Sequence, residues 1–208
     1  MGITIAIDGP AASGKGTVSR GVAKFFGYSY LDTGLIYRAV ASLVMSGSDD
    51  STKIADAIEI SSNFKLEYLQ LKNLRTNEVA VMASKIAVIP EIRKGLTEFQ
   101  RSFARKNPGS VIDGRDIGTI ICPDAKVKLF VTASLQIRAQ RRYAELKEMG
   151  EVLKFEEILE DLRIRDERDT KRIVAPLQIS KDGYLIDTSE LSIEASIARA
   201  ISIVREKA

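Results

Sequence analysis

The sequence contains no histidine and a single cysteine, Cys122. Without imidazole there is no histidine acid–base catalyst and no His-ligated zinc. One cysteine excludes an intrachain disulfide. No stretch reaches the ~20 consecutive apolar residues of a membrane span. The opening run MGITIAIDG lacks a basic leader, a long apolar segment and a small-residue cleavage site, so it does not read as a signal peptide. A strong charge of one sign is missing too. Lys and Arg total 31 against 28 Asp and Glu, a net charge of +3, too small to argue for nucleic acid. The expectation is a soluble, cytoplasmic protein with no membrane and no nucleic-acid partner.

What is present suits one globular domain with a sizeable core. The chain has 208 residues, 45% hydrophobic and 28% charged. Short β-rich runs at residues 3–7, 28–31, 110–112, 127–131 and 184–186 alternate with helical patterns. The helical patterns cover 15–26, a segment capped by Asp32 or Thr33, another opening at Pro90, one capped by Ser134, and residues 156–168 and 192–205. This alternation predicts an α/β fold, a parallel sheet covered on both faces. Residues 46–52 form a polar break. Phe64, Leu66, Tyr68 and then Leu69/Leu71 alternate, which predicts a strand in an insert of its own. Asn107-Pro108-Gly109 stops the helix before it.

The first predicted strand runs into GPAASGKGT: Gly9, Pro10, Ala11, Ala12, Ser13, Gly14, Lys15, Gly16 and Thr17. Strand, glycine-rich turn and helix follow in the order of a phosphate-binding loop. Backbone N–H groups and the helix N-terminus can cradle phosphates, and Lys15 can reach the terminal ones. The common motif GxxxxGK[ST] places a Mg²⁺-binding hydroxyl directly after the lysine. Gly16 stands there instead, and Thr17 comes one residue late. Mg²⁺ would then keep most of its waters, held by nucleotide phosphates and a water-mediated carboxylate. GKGT at this place is what nucleoside monophosphate kinases show.

Three further segments carry candidates. LDTGLIYR contains Thr33 and Arg38, and by physics alone it reads better as a capped helix with a solvated arginine. VIDGRDIGT loads a strand end with Asp113, Arg115 and Asp116, at the edge where parallel sheets bind ligands. Asp113 is the natural acid for the hydrated Mg²⁺, and Arg115 offers a planar fork for phosphate. RIRDERDTKRIVAPL places Arg165, Arg168 and Arg172 three to four residues apart, lining one side if helical. A charge run is usually a solvated face, but an arginine stripe can also neutralise a transferring phosphoryl group. Arg138 and Arg142 are spaced to face the same place.

Together, IDGPAASGKGT, LDTGLIYR, VAVMASKIAVIPEIR, VIDGRDIGT, CPDAKVKLFVTAS, RIRDERDTKRIVAPL and DTSELSIE closely resemble the bacterial cytidylate kinase family, nearly end to end. The resemblance implies a P-loop kinase core with a five-stranded parallel sheet. The core would take up about 1–32, 107–148 and 177–208. A nucleoside monophosphate-binding insert would cover about 33–106 and a short lid about 149–176. The implied reaction moves the γ-phosphoryl of ATP to CMP or dCMP, with Mg²⁺, in a monomer. Carried over, the Gly9–Thr17 loop with Lys15, Arg138 and Arg142 belongs to ATP. Thr33, Arg38, Ser84, Arg93, Arg115, Asp116, Asp169 and Arg172 belong to CMP, and Asp113 to the water-mediated metal. Lys15, Arg115, Arg165 and Arg172 carry catalysis. Ser84 also reads as helix packing, and Arg93 as a solvated residue. Cys122 looks like packing.

Other readings stay open at this point. A different small-molecule kinase on the same core would act on UMP, AMP or shikimate. A nucleotide switch would want the hydroxyl after the lysine and a guanine-reading NKxD segment, and neither is found. A nucleic-acid binder is prompted by the arginine cluster, but its interleaved acids and the modest net charge count against it.

Overall fold

A computed structural model describes residues 2–47 and 53–207. The element order is β1 (Ile3–Asp8), α1 (Lys15–Phe26), β2 (Ser29–Asp32), α2 (Thr33–Met45), α3 (Lys53–Ser62), α4 (Asn77–Ile86), α5 (Pro90–Ala104), β3 (Gly109–Gly114), β4 (Val127–Thr132), α6 (Leu135–Glu148), α7 (Phe155–Lys171), β5 (Tyr184–Asp187) and α8 (Ile193–Lys207). The five strands form one parallel sheet in the order β2-β3-β1-β4-β5. Residues 48–52 of the polar break lie outside the described residues.

The chain divides into two units. The first, Met1–Asp32 with Arg101–Ala208, contains the sheet. β3 lies inside it and is buried along its whole length, as expected of a parallel strand covered on both faces. Ile5, Ile7, Val111, Val127, Leu129 and Val131 pack with Val18 and Val22 of α1 and Ala200, Ile203 and Val204 of α8. Register then aligns the strand ends. Asp8 stands beside Gly114, Asp113 beside Asp32, and Thr132 beside Asp187. The polar residues at these ends therefore emerge at one edge of the sheet. A second cluster joins α6 and α7 through Ala139, Leu146, Ile158 and Leu162, and it includes Ala11 of the loop after β1. Ser134 caps α6 by accepting from Ile137 N at 3.3 Å.

The second unit, Thr33–Gln100, is helical. Its α2 packs on α3 and α4, and Ile36, Val40, Val44, Ala57, Val79, Ala80 and Ala83 of these helices are all buried. The strand predicted over Phe64–Leu71 is absent. Residues Leu66–Gln70 form a 3₁₀ turn. Phe64 packs edge-on against Tyr68, with ring centroids 5.6 Å apart, and against Phe99 at 5.0 Å. Residues four apart in a strand would be ~13 Å apart, so this aromatic pair requires the chain to turn. Alternation of apolar residues misled because Leu66 and Leu71 are exposed. Helices α3 and α4 are not among the predicted elements, although α4 buries Val79, Ala80, Ala83 and Ile86 along one face.

Candidate active site

β1 ends at Asp8 and the loop turns immediately against β4. A Cβ on Gly9 would stand 1.9 Å from the Val131 carbonyl oxygen, so only glycine fits. Gly14 sets the start of α1 in the left-handed region, φ 84°, where other residues are strained. Lys15, the first residue of α1, folds back so that Nζ donates to the Pro10 carbonyl at 3.4 Å. Burial and the guanidinium of Arg115 push its ammonium below the usual lysine range, while Asp113 and Asp32 act the other way. The Oγ of Ser13 is buried without a hydrogen-bond partner inside the loop.

Carboxylates close the same edge of the sheet. Tyr30 donates its hydroxyl to Asp113 Oδ2 at 2.7 Å. Burial and neighbouring Asp32 push Asp113 up, and burial with Asp113 pushes the Tyr30 phenol up. The Oδ1 and Oδ2 of Asp8 accept from Ile117 N and Gly118 N, both at 2.8 Å. Those amides open a π-helical turn, Ile117–Ile121, directly after Arg115 and Asp116. Asp8 thus ties the root of the phosphate loop to the turn that presents both residues. Burial pushes its carboxyl up to about 7, against the pull of the two amides.

The arginines crowd together. Arg115 Nε donates to Asp169 Oδ2 at 2.8 Å. Arg165 lies 3.9 Å from the same oxygen, and its Nε is buried without a hydrogen bond. Burial, then Arg115, push Arg165 down to about 10, so it stays charged. Burial works against the Asp169 carboxylate, but Arg115, Arg165 and Arg172 hold it below its ordinary range. Arg172 follows α7 in extended backbone and reaches Asp116 Oδ1 at 3.4 Å. It therefore leaves the helix, and the predicted stripe is helical only as far as Arg168. Lys15, Arg115 and Arg165 lie close enough to repel one another, with Asp32, Asp113, Asp166 and Asp169 set among them. Three crowded cations are a receptor for a polyanion.

Of the two arginines of α6 assigned to ATP, Arg142 lies close enough to depress Arg165 and pairs with Glu145 at 2.7 Å. Arg138 is buried and differently engaged. It donates to the Ala133 carbonyl, to the Ala11 carbonyl at 3.2 Å and to Asp166 of α7 at 2.6 Å. Sequence reading passed over Arg141, which reaches the loop through Ser13 and Thr188, and over Asp8 and Tyr30. Arg141 stood in the same helical pattern as Arg138 and Arg142, but spacing alone could not say which carbonyls it meets. Cys122 is buried, as expected of packing.

In the second unit, Thr33 opens α2 and is buried. Arg38 donates to the Leu74 carbonyl at 3.0 Å, so it is not simply solvated. Ser84 is buried on α4. Arg93 is 6% exposed, donates to the Ala87 carbonyl and lies over the Tyr37 ring at 5.9 Å. A solvated role for it is overturned.

The donors suit Mg²⁺ in its hydrated form. Among the described residues no group of three or more His, Cys, Asp or Glu side chains could hold a metal. Hard oxygen donors near the loop are the adjacent carboxylates of Asp113 and Asp32, and Asp113 Oδ2 stands 3.7 Å from where a Cβ on Gly16 would be. Few protein ligands with several retained waters is the usual Mg²⁺ pattern with nucleotides.

The cytidylate kinase family model matches residues 5–206. The chain is 50% identical over 204 residues to a cytidylate kinase of Cereibacter sphaeroides, covering 98% of this chain and 96% of that protein. It is 48% identical over 210 residues to one from Paramagnetospirillum magneticum, covering all of both. Among solved structures, an uncharacterized protein from Eubacterium ventriosum superposes with a TM-score of 0.58 at 14% identity, covering 98% of each chain. A gluconokinase from Sinorhizobium meliloti gives 0.53 at 12% identity, covering 99% of this chain and 93% of that one. These likenesses speak to the fold alone.

Proposed function

This chain belongs to the cytidylate kinase family, and on that premise we propose how its residues divide the transfer of the γ-phosphoryl group from ATP to CMP. It is a nucleoside monophosphate kinase that phosphorylates CMP with ATP. The observation that carries the assignment of roles is the crowding of Lys15, Arg115 and Arg165 at one edge of the parallel sheet.

The Gly9–Thr17 loop and Lys15 hold the ATP phosphates. Arg165, with Arg142 beside it, meets charge that spreads over the transferring group. Arg115 binds the acceptor phosphate, as does Arg38. Asp169 and Arg172 serve the acceptor nucleotide, and Thr33, Ser84, Arg93 and Asp116 recognise cytosine or its immediate surroundings. Cytosine offers an amino group where uracil has a carbonyl. Hydroxyls and carboxylates suit that donor, and an arginine suits the carbonyl and ring nitrogen. Buried polar partners left without a mate reject the wrong base strongly. The acceptor oxygen is already ionised at neutral pH, so no general base is required, in keeping with a chain that has no histidine.

Mg²⁺ bound with ATP supplies charge neutralisation, and Asp113 would steady it through a water. Arg138 holds the loop backbone to α7 rather than touching phosphate, which its bonds to Ala11 and Asp166 favour. The segment about 149–176 acts as a lid that keeps water from the γ-phosphate. dCMP is accepted alongside CMP, and the working form is a cytoplasmic monomer. No helix among the described residues is long and apolar enough to cross a membrane.

The test is ADP release from ATP and Mg²⁺ with CMP, dCMP, UMP, AMP and GMP as acceptors. CMP or dCMP is expected to give the highest kcat/KM and the purine nucleotides the lowest. Faster turnover with AMP or GMP would overturn the acceptor assignment.

A further inference from the structure

The phosphate loop has a soft joint at the Ser13–Gly14 peptide. Gly14 stands at φ 84°, a conformation its missing Cβ allows. The same freedom lets the peptide plane between Ser13 and Gly14 rotate. A peptide unit is rigid, with its C=O and N–H pointing in opposite directions. Whatever holds the Ser13 carbonyl therefore fixes where the Gly14 N–H points.

The α1 helix does not hold that carbonyl. Its first turn uses the Gly14 carbonyl, which accepts from both Thr17 N and Val18 N at 3.0 Å. Ser13 O is instead gripped from outside the loop. The Thr188 hydroxyl lies 2.9 Å from it, and Arg141 Nη1 lies 3.4 Å from it. Thr188 follows β5, and its own N–H donates to the Thr132 carbonyl of β4 at 2.8 Å. Arg141 Nη1 donates to the Thr188 hydroxyl at 2.9 Å and Nη2 to the Thr188 carbonyl at 2.8 Å. The hydroxyl has one proton and two acceptors in reach, Ser13 O at 2.9 Å and Thr132 O at 3.1 Å. Ser13 O is the nearer acceptor, and Thr132 O also receives the Thr188 N–H, so the hydroxyl proton is assigned to Ser13. Thr188 is 2% exposed and Ser13 fully buried, where an unmade hydrogen bond is expensive.

We propose that Thr188 and Arg141 are positioning residues that lock the Ser13–Gly14 peptide with its N–H turned towards the ATP phosphates. This rests on reading the loop as the ATP site. The sheet supplies the fixed point through Thr132, α6 supplies the arginine fork, and the hydroxyl transmits both to the joint. Neither side chain touches the substrate in this role. Their removal acts on ATP and leaves CMP alone.

The experiment varies ATP and CMP separately in the ADP-release assay for wild type, Thr188→Val, Thr188→Ser and Arg141→Lys. Thermal melts are run alongside. Thr188→Val keeps the shape and removes the hydroxyl. Its KM for ATP is expected to rise about tenfold, the cost of one buried hydrogen bond, with the KM for CMP within about twofold. Thr188→Ser keeps the hydroxyl and is expected to match wild type. Arg141→Lys keeps the charge but loses the planar fork, and its KM for ATP is expected to rise with that for CMP unchanged. Should Thr188→Val fail to fold, the split between the two constants in Arg141→Lys decides. An unchanged KM for ATP, or equal rises for both substrates tracking a fall in Tm, overturns the inference. So does a serine variant as impaired as the valine one. A wild type that releases no ADP overturns the reading of the loop itself, which is a separate failure.

Discussion

The two units of this chain bury different things. The unit of Met1–Asp32 and Arg101–Ala208 buries charge: Asp8, Asp113, Asp116, Arg138, Arg142 and Asp169 are all nearly inaccessible. Asp8, Lys15, Asp113 and Arg165 are driven off their ordinary pKa values there. The unit of Thr33–Gln100 buries mostly aliphatic side chains, with a few polar groups among them: Thr33, Ser61, Ser84, Arg93 and Gln100. Burying a charge is costly unless it is paired or meets a ligand. Under the proposed roles the first unit accepts that cost because phosphoryl transfer needs charges fixed in advance. Telling one base from another needs only a few well-placed hydrogen-bonding groups in apolar surroundings.

Removing Lys15 should break this contrast most severely. Lys15→Ala is expected to lower kcat by about a thousandfold or more while leaving Tm nearly unchanged. A melt taken with the rate measurement checks it. Near-normal turnover would mean the crowded cations serve folding rather than chemistry.

How much of this was legible depended on how local the signal was. GPAASGKGT announced itself, because Gly9 and Gly14 answer to steric demands that a sequence shows directly. VIDGRDIGT did so as well, since an apolar strand that ends in three charged residues needs a reason. The central strands β1, β3 and β4 were legible because a buried parallel strand is a short unbroken apolar run. Phe64–Leu71 was not, because its alternation arises from an aromatic pair across a turn, and only tertiary contact with Phe99 reveals that. Arg93 looked solvated because nothing near it in sequence announces Tyr37. The contacts of Arg141 and Asp8 depend on the π-helical turn and on the residue after β5, which no spacing rule specifies.

A smaller effect sharpens the same contrast through pH. The Asp8 carboxyl titrates at about 7 when folded, against 3.8 ordinarily. Its raised value means that the folded state binds the extra proton between those limits. The stability it contributes is full below pH ~3.8 and is lost as pH rises towards ~7. Wild-type Tm should therefore fall more steeply from pH 4 to pH 7 than that of Asp8→Asn. Parallel profiles would place the burden elsewhere.

The division of labour is tested most directly by the ratio of kcat/KM for CMP to that for UMP, measured in wild type, Ser84→Ala and Arg115→Ala. Ser84→Ala should lower the ratio about tenfold with the KM for ATP unchanged. Arg115→Ala should depress both pyrimidine nucleotides alike and leave the ratio where it was. A ratio that collapses in Arg115→Ala and survives in Ser84→Ala would contradict the account.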